Sequence, residues 1–213
     1  MKIENRNSNT RGRPRVERKS EILDAAERLY ADIGFDKTSM ADIAQAVGMS
    51  PANLYRSFKA RRDIDEAIAE RQLGQIEEAA WLSIRDAHRD PEAAFHKLIE
   101  TVAEKTNAML FREGRLSDLC VVAVDEDWPV VINFVDRLRA TLRHVLVEGQ
   151  RIQAFDPALE PDRTADLLLA MLLRVWHPLM INLYAADQGS HRNTLSVHDV
   201  APFLLRAIKM KNE

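Results

Sequence analysis

The sequence predicts an all-α protein, with an N-terminal domain of three helices and a C-terminal domain of six longer helices. Leu, Ala, Glu and Arg dominate the composition, and these residues favour helices. The 213 residues include only seven glycines and eight prolines, too few for the many turns of an all-β chain. Apolar residues recur at steps of three and four in successive segments, which is the period of an amphipathic helix.

The N-terminal domain is predicted over residues 17–64, after a disordered basic arm at residues 1–16. Gly34 supplies the left-handed residue that ends the first helix. Ser39 and Asp42 have the spacing of a capping box ahead of the second helix, and Ser50 is a good N-cap for the third. The three predicted helices span residues 17–33, 40–46 and 51–57.

The C-terminal domain is predicted over residues 65–213, where the helical segments lengthen. Prolines begin two of its helices, and two further prolines lie in the loop at residues 154–161. Residues 167–186 are apolar enough to be tested as a membrane span, but Arg174 near the middle makes a buried helix the better interpretation. The six predicted helices span residues 63–88, 91–113, 115–124, 129–152, 162–186 and 196–210.

Charge is distributed unevenly along the chain. The net charge is −3, but residues 1–64 carry 13 basic and 9 acidic side chains, hence +4, which leaves −7 for residues 65–213. This asymmetry is expected when only one end of a protein meets a polyanion. The single cysteine, Cys120, and the absence of a signal-peptide pattern predict a cytoplasmic protein.

The segment from residue 38 to residue 58 has the pattern of a helix-turn-helix. Two crossing helices need a small residue where their backbones approach, which Ala44 supplies. The turn needs a positive φ, which Gly48 tolerates. The two helices would be clamped together by an apolar seam of Met40, Ile43, Val47, Met49, Leu54 and Phe58.

This pattern resembles the DNA-binding domain of the tetracycline-repressor (TetR) family over roughly residues 18–66. The matching residues run from Gly34-Phe35 through Thr38-Ser39-Met40 and Ile43-Ala44 to Val47-Gly48-Met49-Ser50 and Leu54-Tyr55, with Phe58 last. The chain departs from the usual family residues at Ser57, Arg61 and Ile64. No motif identifies residues 67–213, whose helices resemble the family's variable ligand-binding domain.

The third helix is expected to enter the major groove of DNA. Asn53 is the candidate for reading adenine, and Pro51 and Ala52 for touching a thymine methyl. Thr38 and Ser39, at a helix N-terminus, suit a phosphate. Tyr55 resembles the family's phosphate-contacting tyrosine, with a core aromatic as the alternative. The complete predicted DNA-binding set is Arg11, Arg13, Arg15, Thr38, Ser39, Ser50, Pro51, Ala52, Asn53, Tyr55, Arg56, Lys59 and Arg61.

Two of these expectations have plain alternatives. Arg11, Arg13 and Arg15 alternate with small residues, which suits an arm that enters a narrow minor groove. The alternative is a tail that only aids solubility. Arg56 is expected to add a charge contact, and its alternative is an ordinary solvated charge.

The resemblance implies a homodimer, in which the last two helices of each subunit form the interface. The segment from Asp162 to Ala186 is apolar almost all round, so it needs cover on every side. One side would pack on its own core and the other on a second subunit. The predicted interface residues are Leu169, Leu172, Leu173, Val200, Leu204 and Ile208.

A ligand cavity is predicted in the C-terminal domain, although for each residue an ordinary core position is the alternative. Arg174 and His177 are polar groups in an apolar helix, which would bind an acidic or hydrogen-bonding effector or form an intersubunit ion pair. The predicted ligand-binding residues are Phe95, Met109, Trp128, Phe134, Arg174, Trp176, His177, Met180 and Tyr184. Trp81, Phe111 and Cys120 are further candidates for the cavity wall.

The sequence therefore predicts a ligand-responsive repressor that binds a palindromic operator as a homodimer and is released by a small molecule. No cofactor, metal site or catalytic residue is expected, because the six histidines form no helical pair and Cys120 lies among apolar residues. Two alternatives remain. One is a constitutive dimeric DNA-binding protein without an effector, and the other is an α-helical protein-interaction adaptor.

Overall fold

The computed structural model describes residues 15–112, 116–176 and 196–210 of the chain. Within these ranges the fold is all helical, as predicted, and the one pair of extended residues is an isolated antiparallel bridge between Phe155 and Lys209. The helices are α1 (Arg15–Ile33), α2 (Met40–Ala46), α3 (Pro51–Ser57), α4 (Arg61–Ser83), α5 (Pro91–Arg112), α6 (Leu116–Asp125), α7 (Pro129–Arg151), α8 (Pro161–Trp176) and α9 (Val197–Ile208).

Apart from the ends of α4 and α8, the helix boundaries lie within two residues of the predicted ones. Helix α1 begins at Arg15, so the last two residues of the predicted disordered arm are helical. Helix α4 ends at Ser83 and not at His88, because residues 84–89 form turns with bonds such as Ala87 N to Ile84 O at 2.9 Å. The second half of the helix predicted over residues 162–186 lies outside the described residues.

Buried side chains form two hydrophobic cores. The N-terminal core is built by α1–α3 and the first half of α4, and Leu119 and Ala123 of α6 and Trp128 complete it. The C-terminal core is built by the second half of α4 together with α5, α7, α8 and α9, and Cys120 of α6 also belongs to it. Helix α4 therefore belongs to both cores, and residue 64 is not where its packing changes.

The last described helix is tied to the loop that precedes α8. Asp156 N donates to Ile208 O at 3.0 Å and Met210 N donates to Ala154 O at 3.3 Å, on either side of the Phe155–Lys209 bridge. Lys209 Nζ also lies 2.8 Å from Glu92 Oε2. These bonds fix the end of α9 against the loop before α8 and against α5. No helix among the described residues has the length and apolar character that crossing a membrane requires.

Candidate nucleic-acid interface and internal cavity

Helix α2 begins with the predicted capping box. The Ser39 hydroxyl accepts a bond from Asp42 N at 3.2 Å, and Ser39 N donates to Asp42 Oδ2 at 2.8 Å. The hydroxyl of Ser39 also donates to the same carboxylate oxygen. These donors lower the pKa of Asp42, because they stabilise its ionised form. The start of α2 is thus fixed by its own side chains.

The turn between α2 and α3 has the predicted geometry. Gly48 has a φ of +64°, and Met49 N donates to Ala44 O at 2.9 Å. Ala44 is buried, so the small side chain lies where the two helices approach. Ser50 caps α3 by accepting from Asn53 N at 3.4 Å, with Pro51 at the first helical position.

Helix α3 has one buried side and one exposed side. Leu54 is fully buried, and Phe58 just after the helix is 5% exposed. Tyr55 is 50% exposed, so the alternative of a core aromatic is wrong. Arg56 Nη1 donates to Asn53 Oδ1 at 3.4 Å along the outer side. The exposed surface at α3, called here the α3 face, consists of Ser50, Pro51, Ala52, Asn53, Tyr55 and Arg56.

The side chain of Thr38, a predicted phosphate contact, lies inside the protein. Thr38 is only 1% exposed, and its hydroxyl donates to Gly34 O at 2.8 Å. The residue closes the loop between α1 and α2 from inside. Ser39, by contrast, is exposed at the same helix start.

Arg61, another predicted charge contact with DNA, has partners within the protein. Its guanidinium donates to Thr38 O and lies 3.7 Å from an Asp65 carboxylate oxygen. The guanidinium carbon lies 5.4 Å from the ring centroid of Tyr30 and 5.8 Å from that of Phe35. Arg61 therefore holds α4 to the α1–α2 loop.

Tyr30 and Asp65 complete this buried network, which sequence reasoning missed. Tyr30 Oη donates to Asp65 Oδ1 at 2.5 Å. Burial raises the pKa of Tyr30, and burial also raises the pKa of Asp65 even though Tyr30 and Arg61 oppose the shift. The one feature of the sequence that could have revealed this network is a tyrosine on the apolar side of α1, because a buried hydroxyl needs a hydrogen-bond partner.

The remaining predicted DNA contacts lie at the edges of the described structure. Lys59 is exposed between α3 and α4, where its N–H donates to Asp63 Oδ2 at 2.7 Å. Arg15 is the first residue of α1, and its side chain lies outside the described part. Arg11 and Arg13 also lie outside the described residues.

A cavity of about 330 Å³, partly open to solvent, lies within the C-terminal domain. Three predicted ligand-binding residues, Met109, Phe134 and Trp176, line it together with Cys120. The lining residues that were not predicted for the ligand come from α4 to α8 and the turn after α6. They are Ala69, Leu73, Ile76, Thr106, Ala123, Val124, Asp127, Val131, Val135, Leu138, Leu169 and Leu173.

Three other candidates for the cavity lie elsewhere. Phe95 is fully buried in the C-terminal core but does not line the cavity. Trp128, which directly precedes α7, belongs to the N-terminal core. Trp81 is 54% exposed on α4. The side chains of Phe111, Arg174, His177, Met180 and Tyr184 lie outside the described part of the structure.

The cavity wall is almost entirely apolar. Cys120 Sγ lies 3.6 Å from Met109 Sδ, so two polarisable sulfur atoms meet in the wall. The polar atom of Trp176 is engaged, since its Nε1 donates to Ile99 O at 3.1 Å. Thr106 and Asp127 are the polar lining residues besides the thiol, and Asp127 is exposed.

Most of the predicted interface residues are covered by the protomer's own core. Leu172, Leu204 and Ile208 are buried in the C-terminal core, and Val200 packs against it. Leu169 and Leu173 line the cavity, although Leu173 is 42% exposed. Helical spacing could not tell which side of α8 faces the protomer's own core and which side is free for a partner, because α8 is apolar on nearly every side. The large apolar side chains that α8 and α9 expose most are Leu167, Met171 and Phe203.

Two family models match the chain. One is described as bacterial regulatory proteins, tetR family, and matches residues 22–68, which include α2, α3 and the start of α4. The other is described as a Tetracyclin repressor-like C-terminal domain and matches residues 91–194. Together the matches cover most of the chain.

Individual proteins agree with these matches. The HTH-type transcriptional regulator AcrR of Shigella flexneri is 27% identical over 139 residues, which are 61% of this chain and 65% of that protein. The structure of the fatty acid degradation regulator FadR from Bacillus halodurans has a TM-score of 0.64 at 18% identity, with 88% of this chain and 94% of that chain covered. The structure of RolR with the ligand resorcinol has a TM-score of 0.59 at 18% identity, with 91% and 88% covered.

Proposed function

The chain belongs to the tetR family of bacterial regulatory proteins, and from that premise we propose a ligand-released repressor that works as a cytoplasmic homodimer on a palindromic operator. That the protein is a DNA-binding transcriptional regulator follows from the family. The repressor role, the effector, the dimer and the operator are the proposal. The observation that carries it is an exposed α3 face at one end of the molecule and an apolar cavity in the body.

The α3 face supports sequence-specific DNA binding. A short helix anchored by Leu54 presents its N-terminal residues outward, as a recognition helix must to reach the base edges of a major groove. Asn53 reads adenine through its side-chain amide, and Pro51 and Ala52 lie beside it for contact with a thymine methyl. Arg56, already within 3.4 Å of Asn53, steadies that amide and adds positive charge.

Phosphate contacts surround this reading surface. Ser39 and Ser50 are exposed and carry hydroxyl groups at the starts of α2 and α3, where backbone N–H groups also favour anions. Tyr55 adds an exposed hydroxyl from the second half of α3. Lys59 adds a charge beyond the end of α3. Arg11, Arg13 and Arg15 extend the contact into the neighbouring minor groove. In this assignment Thr38 and Arg61 stabilise the fold of the N-terminal domain, and the residues around them contact the DNA.

The cavity supports a small, uncharged and largely apolar effector. Its volume of about 330 Å³ lies within the range of small-molecule sites. Asp127 is the only charged residue among the described residues that line it. An acidic effector held by Arg174 therefore has no support from the described walls. RolR, which shares the fold, was solved with resorcinol, an uncharged aromatic molecule.

Exposed apolar side chains support the dimer. Leu167 and Met171 are four residues apart and so lie on one side of α8, where they are 47% and 53% exposed. Phe203 on α9 is 63% exposed. A second copy that packs against these three side chains would remove them from water and would set two α3 faces apart by a fixed distance, as a palindrome requires.

The experiment that tests this function starts from duplexes selected out of a random pool by the protein. The affinity for the selected duplex, measured by fluorescence anisotropy, should fall steeply with salt. Asn53→Ala should weaken binding by about 5- to 150-fold and relax the preference at one base pair in each half-site.

The matched control is Asn133→Ala, which removes an exposed asparagine of α7 and should leave the affinity unchanged. Failure to select any sequence, or binding that salt does not weaken, would reject the regulator and favour the protein-interaction adaptor.

A further inference from the structure

Thr106 of α5 differs from the buried threonines Thr38 and Thr141 in what its hydroxyl does. A buried threonine commonly donates to the backbone carbonyl four residues earlier. Thr38 does so to Gly34 O at 2.8 Å, and Thr141 of α7 does so to Arg137 O at 2.8 Å. Thr106 is 3% exposed, as Thr141 is. Its hydroxyl nevertheless makes no hydrogen bond with the part of the chain that the structure describes.

The hydroxyl of Thr106 faces the cavity. Thr106 is one of the residues that line the cavity wall. Among the described side chains that are not exposed, Arg61 Nε is the one nitrogen or oxygen atom that is both sealed from solvent and without a hydrogen-bond partner. The Thr106 oxygen is therefore not sealed, and the small surface that it keeps belongs to the cavity.

An unpaired hydroxyl in this wall needs a physical explanation. Burying a hydroxyl costs free energy unless it is hydrogen-bonded, and a valine of the same shape would avoid that cost. The indole N–H of Trp176 is already bonded to Ile99 O, and Asp127 is exposed to water. Thr106 is thus the buried hydroxyl that the described wall leaves for a bound molecule, and a few such groups orient the ligand in a largely apolar site.

The surroundings of Thr106 favour an aromatic ring. Met109 lies three residues further along α5, so it is on the same side of the helix as Thr106. Met109 Sδ lies 3.6 Å from Cys120 Sγ, and polarisable sulfur atoms make favourable contacts with aromatic rings. Phe134 and Trp176 also line the cavity and can pack edge-to-face or offset against a ring.

We propose that the effector is a small aromatic molecule with a hydroxyl or carbonyl oxygen, and that the Thr106 hydroxyl binds this oxygen and so orients the ligand. The inference rests on the proposed function and names the ligand class of the same cavity. A threonine hydroxyl both donates and accepts, so it pairs with a phenol or with an aromatic ketone. A hydrocarbon of the same shape leaves the hydroxyl unpaired and loses that contribution to affinity.

The stability of the ligand-free protein tests the unpaired hydroxyl. Thr106→Val keeps the shape of the side chain and removes the oxygen, so it should raise the melting temperature by about 2–4 °C. Thr141→Val is the matched control, because Thr141 is equally buried and its hydroxyl is bonded. This variant should lower the melting temperature. Differential scanning calorimetry measures both shifts.

Isothermal titration calorimetry with two matched pairs of probes tests the ligand class. One pair is para-ethylphenol and para-ethyltoluene, and the other is para-methylacetophenone and para-isopropyltoluene. In each pair a methyl group replaces the oxygen. Thr106→Val should weaken the binding of at least one oxygenated probe by about tenfold and should leave the hydrocarbons bound as tightly as before or more tightly. The pair that responds shows whether the site takes a hydroxyl or a carbonyl group.

Two further variants separate the hydrogen bond from the shape of the wall. Thr106→Ser retains the hydroxyl and loses a methyl group, so it should weaken both members of a pair and keep the wild-type ratio of their affinities. Thr141→Val should also keep that ratio, since Thr141 does not line the cavity.

The two measurements can each overturn the inference. If Thr106→Val lowers the melting temperature as Thr141→Val does, the Thr106 hydroxyl is not an unpaired group. If Thr106→Val leaves the ratio of affinities unchanged in both pairs, Thr106 forms no hydrogen bond with the ligand, and the proposed function stands. If wild type binds none of the four probes, the inference fails together with the effector proposed for the cavity, whereas the selection of a duplex still decides whether the protein is a regulator.

Discussion

Gly149 lies where any side chain would collide with the core. A Cβ built on it would be 2.0 Å from Cδ2 of Phe155, a ring that is wholly buried. Gly149→Ala should therefore lower the free energy of unfolding by about 1–3 kcal/mol, since Phe155 must move. Urea unfolding measures the loss.

Gly74 provides the opposite case within α4. Apart from the neighbouring backbone of α4 itself, no atom lies within 4 Å of a Cβ built there, so the alanine side chain has space. Gly74→Ala should raise the free energy of unfolding by about 0.5–1 kcal/mol, because alanine loses less conformational freedom in a helix. Equal effects of the two substitutions would contradict the packing described at Gly149.

Asp65 gives the stability a pH dependence of unusual sign. Burial raises its pKa, so the folded state holds the proton more tightly than the unfolded state does. The contribution of Asp65 to stability is complete below the ordinary pKa of an aspartate and is lost as the pH rises through the raised value. The difference in unfolding free energy between wild type and Asp65→Asn should therefore fall as the pH rises.

Asp42 is the control for that sign. Its pKa is lowered, so its contribution is present above the ordinary value and is lost as the pH falls through the lowered one. Urea unfolding of Asp65→Asn and Asp42→Asn between about pH 3 and pH 7 should give differences from wild type with opposite slopes. Parallel slopes would mean that Asp65 is not the buried group described here.

At the residue scale, sequence patterns identified which side chains surround the α3 face but not which way each one turns. Tyr55 and Asn53 were expected outside, and both are exposed. Thr38 and Arg61 were expected outside as well, because polar residues near a helix start usually meet water. Their partners are the Gly34 carbonyl, the Thr38 carbonyl and Asp65, and contacts of this kind become visible only when the chain is folded.

The N-terminal arm is the element whose proposed role depends on charge alone. Residues 1–14 carry Lys2, Arg6, Arg11 and Arg13 against Glu4. Deleting residues 1–14, which leaves α1 intact, should weaken DNA binding. It should also flatten the plot of log affinity against log salt by about 0.9 for every phosphate the arm neutralises.

A shorter deletion controls for chain length. Removing residues 1–5 leaves Arg11 and Arg13 in place and should change the salt dependence far less. Replacing only Arg11 and Arg13 with serine should reproduce most of the effect of the long deletion. An unchanged salt slope in that variant would assign the arm no contact with DNA.

Helix α6 shows how an element acquires a role that its own sequence does not announce. Its ten residues were predicted as a short helix of the C-terminal domain. In the structure Leu119 faces the N-terminal core and Cys120 faces the cavity, one residue apart. The sequence of an apolar helix that is buried on two sides looks the same whichever cores bury it. The position of α6 between the two cores could therefore not be predicted from the sequence.

At the scale of the whole molecule, the exposed apolar side chains of α8 and α9 predict where two copies meet. Met171→Glu together with Phe203→Glu should convert the proposed dimer to a monomer at micromolar concentration. Each charge occurs twice in a twofold interface and would be buried without a partner. Sedimentation velocity measures the change.

The matched control is Leu82→Glu, on α4. Leu82 is 51% exposed, close to the 53% of Met171, but it lies on another part of the surface. This variant should remain a dimer. A double variant that also remains a dimer would place the subunit contact elsewhere.

The sequence by itself determined the helical fold, the capping box, the Gly48 turn and the family. These depend on local periodicity and on residue types at fixed spacings, which need no distant partner. Only the tertiary structure decided that Thr38 and Arg61 face inward, that Trp128 completes the N-terminal core, and that Leu172 and Leu204 belong to the protomer core. The physical reason is that any apolar neighbour can bury an apolar side chain equally well. Which residues become its neighbours therefore depends on how the helices pack.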